Sequence, residues 1–133
     1  MQDTYKMEIV SPEKVIFSDE NVQDVVLPSY EGEMGILKDH IPIISFLRPG
    51  IVKIIKSSEN VNSFFVQDGI IEFYNNNLTI LSSKIINIKN LNKETIDLLI
   101  TEAEKILKNE KLNDDNRYLA NHKIDALRTL NLN

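Results

Sequence analysis

Short apolar segments alternate with turn residues through the first two thirds of the chain, and this pattern most constrains the fold. The first segment places Tyr5, Met7 and Ile9 on one face with polar residues between them, as in a half-buried strand. About nine or ten such segments precede residue 88, and strands this short and closely spaced are typical of an antiparallel β-sandwich rather than of βαβ units. We therefore expect residues 1–88 to form a β-sandwich domain.

Helical periodicity replaces this alternation from Lys89 onward. Asn92 can cap a first helix, and Asp114 and Asp115 are placed to begin a second helix after a polar break. Apolar residues recur at helical spacing on both predicted helices. They are Ile96, Leu99, Ile100, Ala103, Ile106 and Leu107 on the first, and Leu119, Ala120, Ile124, Leu127 and Leu130 on the second. Residues 89–133 are thus predicted to form a C-terminal α-helical hairpin, with a Glu104–Lys108 pair on the first helix.

Residues 27–50 contain three prolines and three glycines between short apolar segments. Because these residues favour turns and strand edges, the stretch predicts short strands around a polar loop, Tyr30 to Met34, and an exposed turn at Asp39 and His40. The loop contains two carboxylates. The residues alone leave two interpretations open: a solvated turn, or a rigid contact loop that binds a partner.

Three other turns follow from local sequence. Asp68-Gly69 predicts a hairpin that joins strands over 63–67 and 70–74. The polar run 18–21 predicts a turn between two strands, and the run 75–77 predicts a turn in which asparagine adopts a left-handed conformation.

Composition excludes several classes of function. The formal net charge is −5 and the basic residues are scattered, which argues against a nucleic-acid partner. The absence of cysteine excludes disulfides, thiolate metal sites and cysteine nucleophiles. Neither His40 nor His122 lies in a metal-binding spacing, and no nucleophile elbow or phosphate-binding loop is present. We expect no metal, no catalytic residue, no membrane-spanning segment and no signal peptide, and hence a cytosolic protein.

An ordered set of motifs resembles the epsilon subunit of the F-type rotary ATP synthase, of bacterial type. The matches are Val10–Glu13, Phe17-Ser18, Leu27-Pro28, Glu31-Gly32-Glu33 with Gly35-Ile36-Leu37, His40 with Pro42, Pro49-Gly50 with Val52, and Gln67–Glu72. Asp68 departs from the family pattern, where a glycine stands. The matches cover about two thirds of the chain in family order, and this order is more specific than any single motif.

The resemblance implies a non-catalytic central-stalk subunit of the proton-translocating enzyme. The sandwich would clamp the gamma subunit onto the ring of c subunits, so that rotation of the ring reaches the catalytic head and drives ATP synthesis. The protein would then be peripheral, on the cytoplasmic face of the bacterial inner membrane.

The resemblance also implies two sets of site residues. The polar loop and the turn at His40 would face the c-ring, through Glu31, Gly32, Glu33, Met34 and His40. The hairpin would be regulatory through Ile96, Leu99, Ile100, Ala103, Leu107, Ala120, Ile124 and Leu127. Folded down, it packs on the sandwich; extended along gamma, it reaches the catalytic alpha and beta subunits and inhibits ATP hydrolysis.

Some family members bind ATP through an Ile/Leu-Asp-x-x-Arg-Ala motif at the start of the first helix. Here Asn92 replaces the aspartate and Thr95 the arginine. We therefore expect no bound nucleotide and no other cofactor.

Two other classes stay open. A free-standing β-sandwich that binds a glycan would need a face of stacked aromatic residues, and the chain has no tryptophan and four tyrosines. A small regulatory nucleotide-binding protein would need measurable ATP affinity from the hairpin.

Overall fold

A computed structural model describes residues 3–130 and contains ten β-strands, a short 3-10 helix and two α-helices. The strands are β1 (Tyr5–Val10), β2 (Val15–Val22), β3 (Asp24–Ser29), β4 (Gly32–Leu37), β5 (Ile43–Leu47), β6 (Gly50–Ser57), β7 (Asn60–Val66), β8 (Gly69–Tyr74), β9 (Asn77–Leu81) and β10 (Ile85–Asn87). The 3-10 helix spans Ile88–Asn90, and the α-helices are α1 (Lys93–Leu107) and α2 (Asp114–Arg128). The outermost residues of the two predicted units, 1–2 and 131–133, lie outside the described range.

The strands form one curled sheet that folds into two layers. The first layer has the order β4-β3-β6-β7-β10 and the second β5-β8-β9-β1-β2; they join where Ser29 of β3 pairs with Leu47 of β5. All strand pairs are antiparallel except β1 and β9. The predicted sandwich is confirmed, with this parallel pair as the difference. A parallel pair needs a long connection, and here most of the sandwich lies between the two strands.

The core lies between the two layers, where the predicted inward residues meet. Tyr5, Met7 and Ile9 are buried as the alternation predicts. The Tyr5 hydroxyl donates a hydrogen bond of 2.5 Å to the Ile36 carbonyl oxygen. Burial of this phenol, with the nearby Asp24 carboxylate, raises the pKa of Tyr5. The first strand is therefore fixed by packing and by one buried polar contact.

A second hydrophobic cluster lies outside the sandwich, under the helices. On β7, Phe64 and Val66 face the sandwich core, whereas Phe65 faces outward. Phe65 packs with Leu91, Ile96 and Leu127, and further apolar residues surround them: Ile51, Ile86, Ile88, Leu99, Ile100, Ala126 and Leu130. The hairpin is thus docked on the outer face of β6, β7 and β10.

Both α-helices have an asparagine as their N-cap residue. The side-chain oxygen of Asn92 accepts a hydrogen bond of 2.7 Å from the Thr95 amide, which confirms the predicted cap of α1. Asn113 caps α2 in the same way, with two aspartates in the first turn. The predicted Glu104–Lys108 pair is wrong: the Glu104 carboxylate lies 3.8 Å from the Arg128 guanidinium on the neighbouring helix instead.

The predicted hairpin at Asp68-Gly69 is wrong. β7 pairs with β6 and β10, whereas β8 pairs with β5 and β9, so the chain crosses here from one layer to the other. A glycine is needed at this crossing because the Leu81 backbone passes close to Gly69. A Cβ at position 69 would lie only 2.8 Å from the Leu81 carbonyl oxygen. Backbone proximity, rather than turn geometry, explains the residue.

The other two predicted turns differ in outcome. Residues 18–21 are not a turn but lie within β2, where the pairing with β1 shifts between Tyr5 and Met7. Polar residues are tolerated in this part of the strand because Ser18, Glu20 and Asn21 are exposed to solvent. The asparagine turn is confirmed, because Asn75 and Asn76 have φ angles of 50° and 57° between β8 and β9. Two left-handed residues suit a tight hairpin.

Candidate partner-binding surfaces

The outer side of β5, β8 and β9 carries a large exposed apolar surface, which we call the open apolar face. It consists of Ile44, Phe46, Ile70, Tyr74 and Leu81, each between 40% and 70% exposed. Phe46 pairs with Ile70 and Ile70 with Leu81, so these three form a continuous row across the strands. Contiguous apolar patches of this kind mark interaction surfaces.

A groove at one end of the open apolar face extends it toward the β3–β4 turn. The groove has a volume of about 510 Å³ and is bordered by Tyr30, Phe46, Ile70 and Leu81, with serines at its rim. A partner could pack against the open apolar face and insert an apolar side chain into this groove. Sequence reasoning did not find this surface. Its signal was the run Ile-Ile-Ser-Phe-Leu in β5, which is apolar on both sides.

The predicted polar loop is shorter in the structure. Only Tyr30 and Glu31 form the turn, and Gly32, Glu33 and Met34 belong to β4. The Ser29 hydroxyl donates a 2.6 Å hydrogen bond to the Gly32 carbonyl oxygen, which braces the turn. The Glu31 and Glu33 side chains are exposed, whereas Met34 packs against the sandwich core. The structure therefore presents two carboxylates on a rigid turn and its adjoining strand.

His40 does not lie near this turn. Pairing runs from Ser29–Gly32 at one end of β4 to Asp24–Leu37 at the other, roughly 17 Å apart at the usual strand rise. His40 follows the far end, where its ring packs edge-on against Phe73 at 5.8 Å. The structure thus groups Glu31, Gly32, Glu33 and Met34 but places His40 beside the β8–β9 turn.

The eight predicted hairpin residues are all buried or half-buried in the docked arrangement. Five are buried: Ile96, Ala103, Ala120, Ile124 and Leu127. Leu99, Ile100 and Leu107 are half-buried, whereas Ile106, which the periodicity also placed on the apolar stripe, is exposed. The apolar surface of the hairpin is therefore largely covered while it is docked.

An aromatic cluster joins α2 to the sandwich; it consists of Tyr30, Arg48, Tyr118 and His122. The Tyr118 ring stacks on Tyr30 with centroids 5.6 Å apart, and its hydroxyl donates a 3.2 Å hydrogen bond to the Tyr30 carbonyl oxygen. Arg48 Nη1 donates to the same hydroxyl at 3.5 Å. Sequence reasoning missed this cluster, although Tyr118 and His122 stand four residues apart on one helix face.

His122 completes the aromatic cluster from the next turn of α2. Its ring centroid lies 4.3 Å from that of Tyr118. Burial and the positive charge of Arg48 lower the pKa of His122, and the Asp125 carboxylate opposes this effect. The docked hairpin therefore favours the neutral imidazole.

Other kinds of site find no support in the described residues. Within residues 3–130, no group of three or more His, Cys, Asp or Glu side chains is arranged to hold a metal ion. In the same range no helix is both long and apolar enough to cross a membrane. At the position of the family's ATP motif, the Asn92 side chain is engaged as the α1 cap.

Together these features define a β-sandwich that carries a docked helical hairpin on one outer face and exposes an apolar surface on the other. The family model described as ATP synthase, delta/epsilon chain, β-sandwich domain matches residues 4–88. An ATP synthase epsilon chain from Pelagibacter ubique is 55% identical over 131 residues, which covers 98% of this chain and 100% of that one. The chain therefore belongs to the family of ATP synthase epsilon chains.

Two solved structures share the fold at low sequence identity. One is a cryo-EM structure of the mitochondrial ATP synthase of Euglena gracilis, with a TM-score of 0.78, 16% identity, and coverage of 97% of this chain and 82% of that chain. The other shows the central stalk and c-ring of the Tetrahymena thermophila mitochondrial enzyme, with a TM-score of 0.64, 14% identity and 96% coverage of both chains. The likeness spans the sandwich and the hairpin together.

Proposed function

We propose that this chain is a rotor subunit of the central stalk of a proton-translocating ATP synthase, where it connects gamma to the c-ring and makes or breaks no bonds itself. The open apolar face is the observation that carries this proposal. Both layers of the sandwich have apolar outer faces, but the hairpin covers only the first. The second is left exposed to water, and we assign gamma as the partner that covers it.

The ring contact is the second part of the proposal. Glu31 and Glu33 present carboxylates from a braced turn and the strand beside it. Such groups recognise basic or amide groups on short loops, and they set orientation more than raw affinity. Gly32 gives the turn its shape, with a φ of 131°, and Met34 anchors β4 in the core. His40 enters the proposal as a separate contact, since it follows the end of β4 that is far from the acidic pair.

The hairpin supplies the regulatory part. In the docked state Ile96 and Leu127 are buried in one cluster with Phe65, and Leu99 and Ile100 pack against that cluster. Undocking would expose the same residues for contacts along gamma and with the catalytic alpha and beta subunits, where they would inhibit ATP hydrolysis. An element with two alternative packing partners can act as a switch. Through the ring, the protein would lie at the cytoplasmic face of the bacterial inner membrane.

Binding to gamma tests the central part of this proposal. Phe46→Glu places a charge in the open apolar face without touching the sandwich core, because Phe46 is exposed. We expect its affinity for gamma to fall at least about tenfold, as for the loss of a central interface residue. Val61→Glu is the matched control, since Val61 is similarly exposed but lies on β7 in the other layer. Equal binding by wild type and Phe46→Glu would contradict the assignment.

The ring contact is tested separately in membranes that contain the c-ring. The double variant Glu31→Ala/Glu33→Ala should still bind gamma but should couple proton flow to ATP synthesis less well. His40→Ala is tested beside it to show which end of β4 the ring contacts. Unchanged coupling in the double variant would remove the turn from the proposal and leave the gamma interface intact.

A further inference from the structure

The hairpin meets the sandwich at two separate places. One is the apolar cluster under both helices, centred on Leu127 and Phe65. The other is the aromatic cluster, where Tyr118 of α2 stacks on Tyr30 and donates a hydrogen bond to its carbonyl oxygen in the β3–β4 turn, while Arg48 of the β5–β6 connection donates to the Tyr118 hydroxyl. Apolar packing is non-directional, whereas the second contact fixes the position of α2 along the sandwich.

We propose that Tyr118 is a latch that holds the docked hairpin onto the Tyr30-Glu31 turn. The latch is a property of the isolated chain and goes beyond the proposed function. It does not depend on gamma, the ring or a nucleotide. Its parts lie on three elements that are distant in sequence: the β3–β4 turn, the β5–β6 connection and α2.

Each part of the latch has a separate role. The Tyr30 carbonyl oxygen accepts the Tyr118 hydrogen bond, and the Tyr30 ring supplies the stacking surface. Arg48 donates to the Tyr118 hydroxyl, so that hydroxyl both accepts and donates. The Arg48 backbone is itself fixed, because its amide donates a 2.9 Å hydrogen bond to the Pro28 carbonyl oxygen. The turn therefore offers a pre-ordered receptor for one tyrosine.

The position of the latch ties the hairpin to the surfaces already described. Tyr30 borders the groove that continues the open apolar face, and Glu31 is its neighbour in the turn. A displacement of this turn away from α2 lengthens the Tyr118 hydrogen bond, because the acceptor is the main-chain carbonyl oxygen of Tyr30. Hairpin docking and the geometry of the turn are therefore linked through one side chain.

The test measures hairpin opening in the full chain by fluorescence energy transfer. The chain has no cysteine, so the exposed residues Glu59 and Glu110 can be replaced by cysteine and labelled uniquely. Glu59 lies between β6 and β7 and Glu110 between α1 and α2, both outside the latch. The ratio of undocked to docked hairpin is obtained from a urea titration below the transition that unfolds the sandwich.

Three variants separate the components of the latch. Tyr118→Phe removes both hydrogen bonds but keeps the ring, and Tyr30→Ala removes the stack but keeps the carbonyl; each should raise the undocked ratio about three- to tenfold. Tyr118→Ala removes both contacts and should raise it by about tenfold or more. Because the two tyrosines interact directly, Tyr30→Ala combined with Tyr118→Ala should have less than the sum of the two separate effects.

Asn121→Ala is the matched control, since Asn121 is exposed on α2 one turn from the latch. Its ratio should stay within about twofold of wild type. If Tyr118→Phe and Tyr30→Ala also stay within that range, the latch is refuted, whatever the behaviour of the more disruptive alanine variant. Additive effects in the double variant would likewise overturn it, because they would show that the two tyrosines do not act on each other.

Discussion

Leu127→Ala should separate the docking of the hairpin from the folding of the sandwich. Leu127 is fully buried in α2 and belongs to the cluster of Phe65, Leu91 and Ile96, which is distinct from the core between the two layers. Its side chain therefore stabilises the contact between hairpin and sandwich. We expect its loss to weaken that contact and to leave the sandwich folded.

The magnitude follows from burial. Truncation of a fully buried leucine to alanine costs about 2–5 kcal/mol, through lost transfer free energy and the cavity left behind. A cost of about 3 kcal/mol changes the docking equilibrium by roughly 150-fold, since about 1.4 kcal/mol corresponds to a factor of ten. Native-state hydrogen exchange measures this change separately in each element. Amides of α1 and α2 should lose protection by about that factor, whereas those of β1, β8 and β9 should change little.

Leu78→Ala is the matched control. Leu78 is buried to the same degree, but it lies in β9 within the sandwich core. It should lower the protection of the β-strands and thus the global free energy of unfolding. Equal loss of protection in strands and helices of Leu127→Ala would refute the reasoning, since hairpin and sandwich would then unfold as one unit. The same result would reject our division of the chain at residues 88 and 89.

Three further predictions concern single side chains. Because the pKa of His122 is lowered in the docked state, the undocked hairpin binds more protons, so docking should be strongest above pH 6.5 and weaken as the pH falls below it. Arg48 and Asp125 act on this imidazole, and Glu33 and Lys53 line the same cleft. The docked fraction of His122→Gln should therefore vary less over this range, and an unchanged pH profile would contradict the assignment. Gly69→Ala should lower the free energy of unfolding by about 1–3 kcal/mol in urea titrations, because its Cβ would lie 2.8 Å from the Leu81 carbonyl oxygen. Gly35→Ala, whose nearest contact would be 3.5 Å, should change it far less, and the reverse order would contradict this account. Burial raises the pKa of Asp19, but hydrogen bonds from the Lys56 ammonium and the Asn21 amide, together with the Lys56 charge, lower this pKa overall. The ionised Asp19 carboxylate therefore stabilises the fold above pH 3.8, and this stabilisation is lost as the pH falls further. Lys56→Met should lower the free energy of unfolding at neutral pH by less than about 1 kcal/mol. Between about pH 4 and 2 this variant should lose less of its free energy of unfolding than wild type does. An equal loss in the two proteins would show that the Asp19–Lys56 ion pair does not contribute to stability.

Much of the fold follows from local pattern. Tyr5, Met7 and Ile9 are buried because strict alternation leaves a strand only one way to face a core. Asn92 and the asparagine turn at Asn75 and Asn76 were predictable because their side chains satisfy or tolerate a local backbone geometry. These signals need no knowledge of distant residues.

The predictions of local structure are wrong where a contact with a residue distant in sequence determines the conformation. Asp68-Gly69 has the sequence of a hairpin, but the Leu81 backbone of β9 passes so close that glycine is required for another reason. The run 18–21 looks like a turn, yet pairing with β1 and the Lys56 contact to Asp19 hold it in a strand. Neither competing contact is visible in the local sequence.

The candidate sites divide in the same way. Glu31 and Glu33 stood out in the sequence as charged residues between prolines and glycines, and the family resemblance then suggested a contact role for them. The open apolar face was missed because its residues come from β5, β8 and β9, and only the pairing of Phe46 with Ile70 and of Ile70 with Leu81 brings them together. The aromatic cluster unites residues as far apart as Tyr30 and Tyr118.

Hydrogen exchange of the chain with and without gamma tests the central claim most directly. If gamma covers the open apolar face, amides in Ile43–Leu47, Gly69–Tyr74 and Asn77–Leu81 should exchange more slowly in the complex. Those in β6, β7 and β10, which the docked hairpin already covers, should change little. Protection confined to the hairpin side, or none in β5, β8 and β9, would contradict the account.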